Sequence, residues 1–379
     1  MTSAEPGRLK VLRVVIGLNQ GGVQQGVLNL CRGLDPVRFE PIACAIENSG
    51  AIGAEIEKAG FEVILLGYKR QAWKTIRALA RIIRERQIDI VHASSYHPAL
   101  YARIAGLLAG RPVMLDYEHT IRERKRLFRL LLSRWLDCHT DAHVAVARQV
   151  AEHVRDWYGY AADKVHVIHN GVDTDRFRPA ADRAAAKAAV GLDPTRPVVG
   201  MVARLDPLKG CGDFFQAVAA LRDRFDAQWL VVGAARNRAE EEAVMADARR
   251  SGVLNCVQFL GLRRDIPELL AAFDLYVFPT LKEGFPNSLL EAMAAGCAVV
   301  ASDFPGNLEV ARHERNALIV PMHDAEALTG AMQRLLQDGA LATRLGIQAR
   351  SDVETDFSLQ AYARKMAALY EALWADRRK

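Results

Sequence analysis

Two carboxylates, Glu283 and Glu291, stand with seven residues between them in the stretch Leu275-Tyr276-Val277-Phe278-Pro279-Thr280-Leu281-Lys282-Glu283-Gly284-Phe285-Pro286-Asn287-Ser288-Leu289-Leu290-Glu291. Residues 275–278 form an apolar run of strand length. Pro286 suits a first helical position, and Leu289, Leu290, Met293 and Ala294 recur at helical spacing. Glu283 therefore falls at the carboxyl end of a strand, the edge where open α/β sheets bind ligands. The helix that follows offers free N–H groups to phosphate oxygens, and Glu291, about a turn inside it, can only accept hydrogen bonds, as hydroxyl-rich ligands require. One carboxylate near each end of a phosphate cradle suits a sugar joined to a nucleotide. A Glu near a helix start is favoured by the dipole alone, so the spacing needs support from elsewhere in the chain.

That support comes from a second strand end. Val198–Ala203 leads into Arg204-Leu205-Asp206-Pro207-Leu208-Lys209-Gly210, which sets two cations on one loop. A lone Arg and Lys would by default be solvated loop charges. Two fixed cations can stabilise a diphosphate leaving group as its negative charge develops, which makes Arg204 and Lys209 candidates for that task. A third strand-to-helix turn, Gly17-Leu18-Asn19-Gln20-Gly21-Gly22, brings paired glycines that allow close backbone approach to a ligand. It lacks the Gly-x-Gly-x-x-Gly spacing of dinucleotide-binding proteins, so no nicotinamide cofactor is implied. Asp173-Thr174-Asp175 has a metal-binding spelling but follows the turn signal Asn170-Gly171-Val172; it is read as a turn, and neither a metal nor a cofactor is expected.

The elements that must carry these residues alternate strand and helix throughout, which predicts α/β architecture with parallel sheets. Strand-like runs fall at Val11–Ile16, Pro41–Ile46, Glu62–Leu66, Asp89–His92, Pro112–Asp116, His143–Ala145 and Val165–Ile168. A break follows, and 174–197 reads as a connection between domains. A second series runs through Val198–Ala203, Trp229–Val232, Val257–Leu260, Leu275–Phe278, Ala298–Ala301 and Ala317–Val320, and a last helix spans Leu359–Trp374.

At 379 residues the chain exceeds one core, so two domains are expected. Hydrophobic residues at 50% and charged residues at 25% describe an ordinary globular protein, and a net charge of +5 is too mild to imply nucleic acid. Six scattered cysteines without a Cys-x-x-Cys pair read as free thiols in a reducing compartment. The polar start Met1–Lys10 leads into a short core strand rather than a signal peptide, and no window reaches the roughly 18 apolar residues of a membrane span. These features predict a cytoplasmic protein.

Taken together, the Glu-x7-Glu segment, the Arg204-x4-Lys209-Gly210 loop and the Gly21-Gly22 turn resemble retaining glycosyltransferases of family four, most closely over residues 198–321. The resemblance implies the GT-B fold: two doubly wound Rossmann-like domains, 1–178 on the acceptor side and 179–356 on the donor side, facing a cleft, with 357–379 returning to the first domain. It implies retaining transfer of a sugar from a nucleotide diphosphate, UDP foremost, to the hydroxyl of a lipid-linked or cell-surface glycan intermediate. It assigns Glu283 to sugar hydroxyls, assisted by backbone N–H groups of Gly284 and Phe285, and Ser288 and Leu289 N–H groups to the diphosphate. Glu291 is assigned to the ribose. Leu262 and Asn287 join the donor-binding set, and Gly21 and Gly22 face donor and acceptor. His119, just past the run Val113–Glu118, is assigned to the oxocarbenium-like state beside the anomeric carbon; Asp116 and Glu118 are not assigned as nucleophiles. One departure is Asn307, where the family commonly has a glycine, while Glu309 keeps its place. A nucleotide-sugar epimerase of similar fold and a non-catalytic nucleotide-sugar binder are the competing readings.

A last element is Ile121–Trp135, whose Arg122, Lys125, Arg126 and Arg129 share one helical face and whose Leu127, Phe128, Leu131 and Trp135 share most of the opposite one. It reads either as a surface helix with its apolar side in the core or as a basic amphipathic contact to the anionic inner face of the cytoplasmic membrane.

Overall fold

The computed structural model describes residues 8–19, 21–120 and 127–378. Its contacts separate two units: Met1–Gly171 with Leu359–Lys379, and Val172–Ser358. The first unit contains a seven-stranded sheet built from β1 (Leu9–Gly17), β2 (Phe39–Asn48), β3 (Glu62–Leu65), β4 (Ile90–Ser94), β5 (Val113–Glu118), β6 (Ala142–Ala145) and β7 (Val165–Val167), in the order β3-β2-β1-β4-β5-β6-β7. The second contains β8 (Val198–Val202), β9 (Gln228–Val232), β10 (Val257–Gly261), β11 (Leu275–Phe278), β12 (Ala298–Ser302) and β13 (Leu318–Val320), in the order β10-β9-β8-β11-β12-β13. Every ladder pair is parallel. Each strand run read from the sequence is present as a strand, because near-continuous Val, Ile, Leu and Ala is what a strand covered on both faces demands.

Each sheet reverses its winding direction once, between β1 and β4 and between β8 and β11. Those two points are where adjacent strand ends part and leave a crevice at the carboxyl edge. In the second unit, Met201, Phe214, Phe215, Trp229, Val277 and Val300 belong to one buried cluster that fixes the sheet against its helices. Leu12 and Val14 face a cluster on one side of the first sheet, and Val15 faces another with Val27, Leu28 and Cys31 from the helix Gly22–Gly33.

The closing helix runs Leu359–Arg377 and belongs to the first unit, as the two-domain reading requires. Its Tyr370 hydroxyl meets His92 Nδ1 at 2.5 Å, Arg377 pairs with Asp141 at 2.7 Å, and Glu371 pairs with Arg38. The segment 174–197, read from the sequence as the connection between domains, lies wholly within the second unit, which begins at Val172. It carries the helix Arg183–Ala189, whose Lys187 is buried against Asp274 at 2.8 Å and donates to Arg196 O at 2.9 Å. Pro286 lies in the N-cap position rather than the first helical one, the helix being Asn287–Ala294.

The fit of the closing helix generates a test. A Cβ on Gly33 would approach Ala363 Cβ to 2.7 Å and Leu359 O to 3.3 Å. Gly33→Val should therefore lower unfolding stability by about 1–3 kcal/mol, the usual cost of overpacking, as read by urea denaturation. An unchanged midpoint would contradict this packing.

Candidate functional site

In the second unit the two loops that leave β8 and β11 are bound to each other. Leu281 N donates to Leu208 O at 2.9 Å, and the Thr280 hydroxyl donates to the same carbonyl at 3.3 Å. Gly210 makes this approach feasible. It has φ of 73°, and a Cβ there would stand 1.9 Å from Pro279 O, so any side chain would force the loops apart. The result is that Lys209 Nζ reaches Glu283 Oε1 at 2.5 Å and Lys282 O at 3.1 Å. The lysine side chain is only 10% exposed and the glutamate 25%, so this pair is better shielded than a surface ion pair.

Arg204 leaves the end of β8 beside them. Its guanidinium donates to Asp206 Oδ2 at 2.7 Å. Asp206 also accepts from Leu208 N at 3.0 Å, capping the single 3-10 turn Pro207–Lys209. Burial works against the Asp206 carboxylate, but the bonds from Arg204 and Leu208 prevail and hold its pKa below the usual range. Asp206 was not singled out in the sequence because Asp before Pro reads as turn punctuation; its cap role hides its second task of aiming Arg204.

The helix Asn287–Ala294 starts with neither a side-chain cap nor an acidic residue in its first turn. Its leading N–H groups, at Ser288 and Leu289, precede the first intrahelical acceptor and suit an anion, although the Leu289 side chain is fully buried. Tyr276 on β11 donates to Val202 O at 3.2 Å and also bonds Ser288, so it ties the helix start to the end of β8. Phe285 is buried and anchors the loop, with Gly284 and Asn287 partly accessible on either side. Glu291 sits one turn further in. Burial pushes its carboxyl up to about 7, and Arg176 pulls it back only in part. The two carboxylates thus have unlike settings, Glu283 beside the Lys209 ammonium and Glu291 where burial brings its titration to about neutral pH.

Leu262 follows β10, two strands from β8, and is 73% exposed. Gly233 N donates to Gly261 O at 2.8 Å, which aligns the ends of β9 and β10 at the same edge. Arg204, Lys209, Leu262, Glu283 and the helix start therefore all lie on the carboxyl edge of the second sheet, around its switch point. At Asn307 the sequence's departure from the common glycine is absorbed locally. Its buried side-chain amide donates to Ser302 O at 3.0 Å and Ser302 Oγ at 3.1 Å, while the Ser302 hydroxyl donates to Thr280 O at 2.6 Å.

In the first unit, Gly21 caps the helix Gly22–Gly33 without a side-chain bond, and that helix also lacks an acid in its first turn. The turn lies at the end of β1, beside the first sheet's switch point. His119 follows β5 and is buried, its ring 4.2 Å from that of Tyr117. Burial, then the nearby Arg13, lowers its pKa to about 3. Asp116 is not available as a nucleophile: it is buried between His143 Nδ1 at 2.7 Å and Arg103 at 3.2 Å. Asp173 spends its side chain on its own turn, accepting from Asp175 N at 3.1 Å and Arg176 N at 3.0 Å. Among the described residues no cluster of three or more His, Cys, Asp or Glu is arranged to hold a metal ion. Residues 121–126 of the basic segment lie outside the described residues; a helix spans Leu127–Asp137, with Leu131 and Trp135 both more than half exposed and Leu136 buried.

Two doubly wound parallel sheets, one carrying paired cations, a carboxylate and a helix start at its carboxyl edge, have the GT-B architecture. Residues 20–176 match the family model described as Glycosyltransferase Family 4, and residues 196–338 match that described as Glycosyl transferases group 1. The lipopolysaccharide core biosynthesis mannosyltransferase LpcC of Rhizobium leguminosarum bv. viciae is 30% identical over 311 residues, covering 81% of this chain and 84% of its own. The chain belongs to glycosyltransferase family four. The Escherichia coli enzyme named UDP-Gal:alpha-D-GlcNAc-diphosphoundecaprenol alpha-1,3-galactosyltransferase is 27% identical, covering 78% of this chain and 79% of that one. Among solved structures, a Rickettsia africae ESF-5 glycosyltransferase superposes with a TM-score of 0.85 at 23% identity, covering 97% of this chain and 98% of its own. Anabaena Alr3699/HepE in complex with UDP-glucose does so with a TM-score of 0.84 at 20% identity, over 96% and 100%.

The state of Glu291 has a measurable consequence. A carboxyl whose folded pKa is raised favours folding at low pH and loses that contribution as pH rises through the folded value, here about 7. Glu291→Gln removes the titration, so the melting temperature of the variant relative to wild type should climb between pH 6 and pH 8. A difference that stays flat across that window would contradict the buried setting of this carboxyl.

Proposed function

We propose that the enzyme transfers a sugar from a UDP-sugar, with retention at the anomeric carbon and without a metal, to a hydroxyl of a lipid-linked or lipopolysaccharide-type intermediate. The observation that carries this reading is the Lys209–Glu283 pair held beside Arg204 and an uncapped helix start. One end of that arrangement stabilises a pyrophosphate, and the other orients a polyol. The donor class is supported by the UDP-glucose bound to HepE and by the UDP-Gal in the name of the E. coli relative. The acceptor class is supported by the diphosphoundecaprenol in that same name and by the lipopolysaccharide core assigned to LpcC.

In this account Arg204, Lys209 and the Ser288 and Leu289 N–H groups neutralise the charge that grows on the leaving phosphate, in fixed positions that need no reorganisation. Glu283 accepts from sugar hydroxyls with Gly284 and Phe285 N–H groups beside it, Glu291 accepts from the ribose, and the exposed Leu262 offers an apolar surface to the base. His119 supports the positive charge that develops at the anomeric carbon, and the Gly21–Gly22 turn faces the donor phosphates and the acceptor. The bond from the anomeric carbon to the phosphate oxygen breaks as that from the carbon to the acceptor oxygen forms. The acceptor proton passes to the departing phosphate oxygen on the same face, yielding UDP and the glycoside. With cations already at the diphosphate, no divalent ion is needed for charge neutralisation.

Glu283→Ala or Lys209→Ala should each lower kcat/KM by at least about a hundredfold, the scale of one charge-stabilising group. Wild-type turnover in both variants refutes the assignment. Wild-type activity should be unchanged by excess EDTA, whereas loss restored by a divalent cation would contradict the metal-free reading.

The exposure of Leu131 and Trp135 favours the membrane-contact reading of the 121–135 segment over burial of its apolar side. The protein should co-sediment with vesicles rich in anionic lipid at low salt, and Trp135→Ala should weaken this severalfold. Failure to sediment under those conditions removes the contact.

A further inference from the structure

A buried cation lies inside the first unit, on the face of the sheet covered by the helices Gly22–Gly33 and Leu359–Arg377. Arg13, in the middle of β1, is 1% exposed, and no carboxylate pairs with it among the described residues. A buried charge without a countercharge is costly, and a sequence that only needed a core strand would place Val or Ile there. Arg13 donates to Ser94 Oγ at 3.2 Å and bonds the Tyr370 hydroxyl, while its Nε and Nη1 find no partner among the described residues.

The strand register shows where this side chain leads. Arg13 pairs across to His92, and Ser94 pairs with Tyr117, so the guanidinium leans two residues toward the carboxyl edge, to the level of Tyr117. Tyr117 is fixed from the far side, donating to Ile168 O at 2.6 Å and to Asn170 Oδ1 at 3.1 Å, and its ring carries that of His119 at 4.2 Å. His119 Nε2 is buried with no partner among the described residues.

We propose that Arg13 is a positioning residue for sugar transfer: through Ser94 and the Tyr117 rung of the ladder it fixes the His119 ring beside a buried positive charge. The inference rests on the role assigned to His119 above. Its chemical sense is direct. A positive charge develops at the anomeric carbon, so an imidazolium there would oppose the reaction, while a neutral imidazole offers a dipole and a hydrogen bond. The titratable groups facing this region are Arg13 from β1, His92 from β4, Tyr117 from β5, Cys31 from the helix Gly22–Gly33, and Tyr362 and Tyr370 from the closing helix. His92 is itself held far below its ordinary value by burial and then by Arg13, so Arg13 is the cation of the set.

The test is an NMR titration of the His119 ring, assigned by His119→Gln, alongside pH profiles of kcat/KM. In wild type the ring should stay neutral down to about pH 4. In Arg13→Met and Arg13→Gln it should titrate at least one unit higher, and kcat/KM should acquire an acid limb, falling about tenfold per pH unit below it. Arg13→Lys should restore both behaviours. The inference is overturned if the ring titrates identically in wild type and a folded neutral variant, or if the profiles superimpose. Should neither neutral variant fold, a wild-type ring that titrates near 6.5 overturns it alone. Full turnover in His119→Ala would remove the role of His119, and the ring titration would still decide whether Arg13 governs it.

Discussion

The second unit depends on one contact, the ion pair between Lys209 and Glu283, which joins residues 74 positions apart in sequence. A pair with side chains 10% and 25% exposed gains more from attraction than a surface pair, but both partners must first be taken partly out of water. The fold meets that cost by holding both loops before the side chains meet. Gly210 lets the β8 loop lie against Pro279, a backbone bond from Leu281 N to Leu208 O locks the contact, and Ser302 supports Thr280 from behind. Because the loops leave adjacent strands at the switch point, the pair, Arg204 and the open helix start share one edge without any long-range adjustment. The site follows from the winding of the sheet.

Much of this was legible in the chain. Strands covered on both faces have to be continuously apolar, and that made all thirteen runs visible, along with the carboxyl-edge positions of Arg204, Glu283 and His119. What stayed hidden were residues whose partners are distant in sequence. Asp206 reads as a turn residue, and only the fold shows it aiming Arg204. Lys187 in an alanine-rich piece looked like part of a linker, yet its contact with Asp274 draws 174–197 into the second unit. Arg13 interrupts the run Leu9–Gly17 with no local pattern to mark it, since its neighbours come from β4, β5 and the closing helix. Pro286 shifted by one position because its backbone, with ψ of 68°, has not yet entered the helix.

The two glutamates illustrate how environment divides labour between like residues. Glu283 has an ammonium at hydrogen-bond distance, whereas the desolvation that raises the Glu291 pKa is offset only in part by Arg176. The same division appears among histidines. His143 sits between two carboxylates, Asp116 and Asp137, and their attraction raises its pKa against the effect of burial, while burial and then the nearby Arg13 lower that of His119. Burial, together with charge placed by distant elements, therefore sets Glu291, His119 and His143 apart before any substrate arrives.

The most direct test of the account is a crystal structure of the enzyme with a bound UDP-sugar. The pyrophosphate should lie at the start of the helix Asn287–Ala294, within hydrogen-bond distance of Arg204, Lys209 and the Ser288 and Leu289 N–H groups, with Glu283 on the sugar hydroxyls. Donor density away from the carboxyl edge of the second sheet, with the Lys209–Glu283 pair untouched, would contradict it.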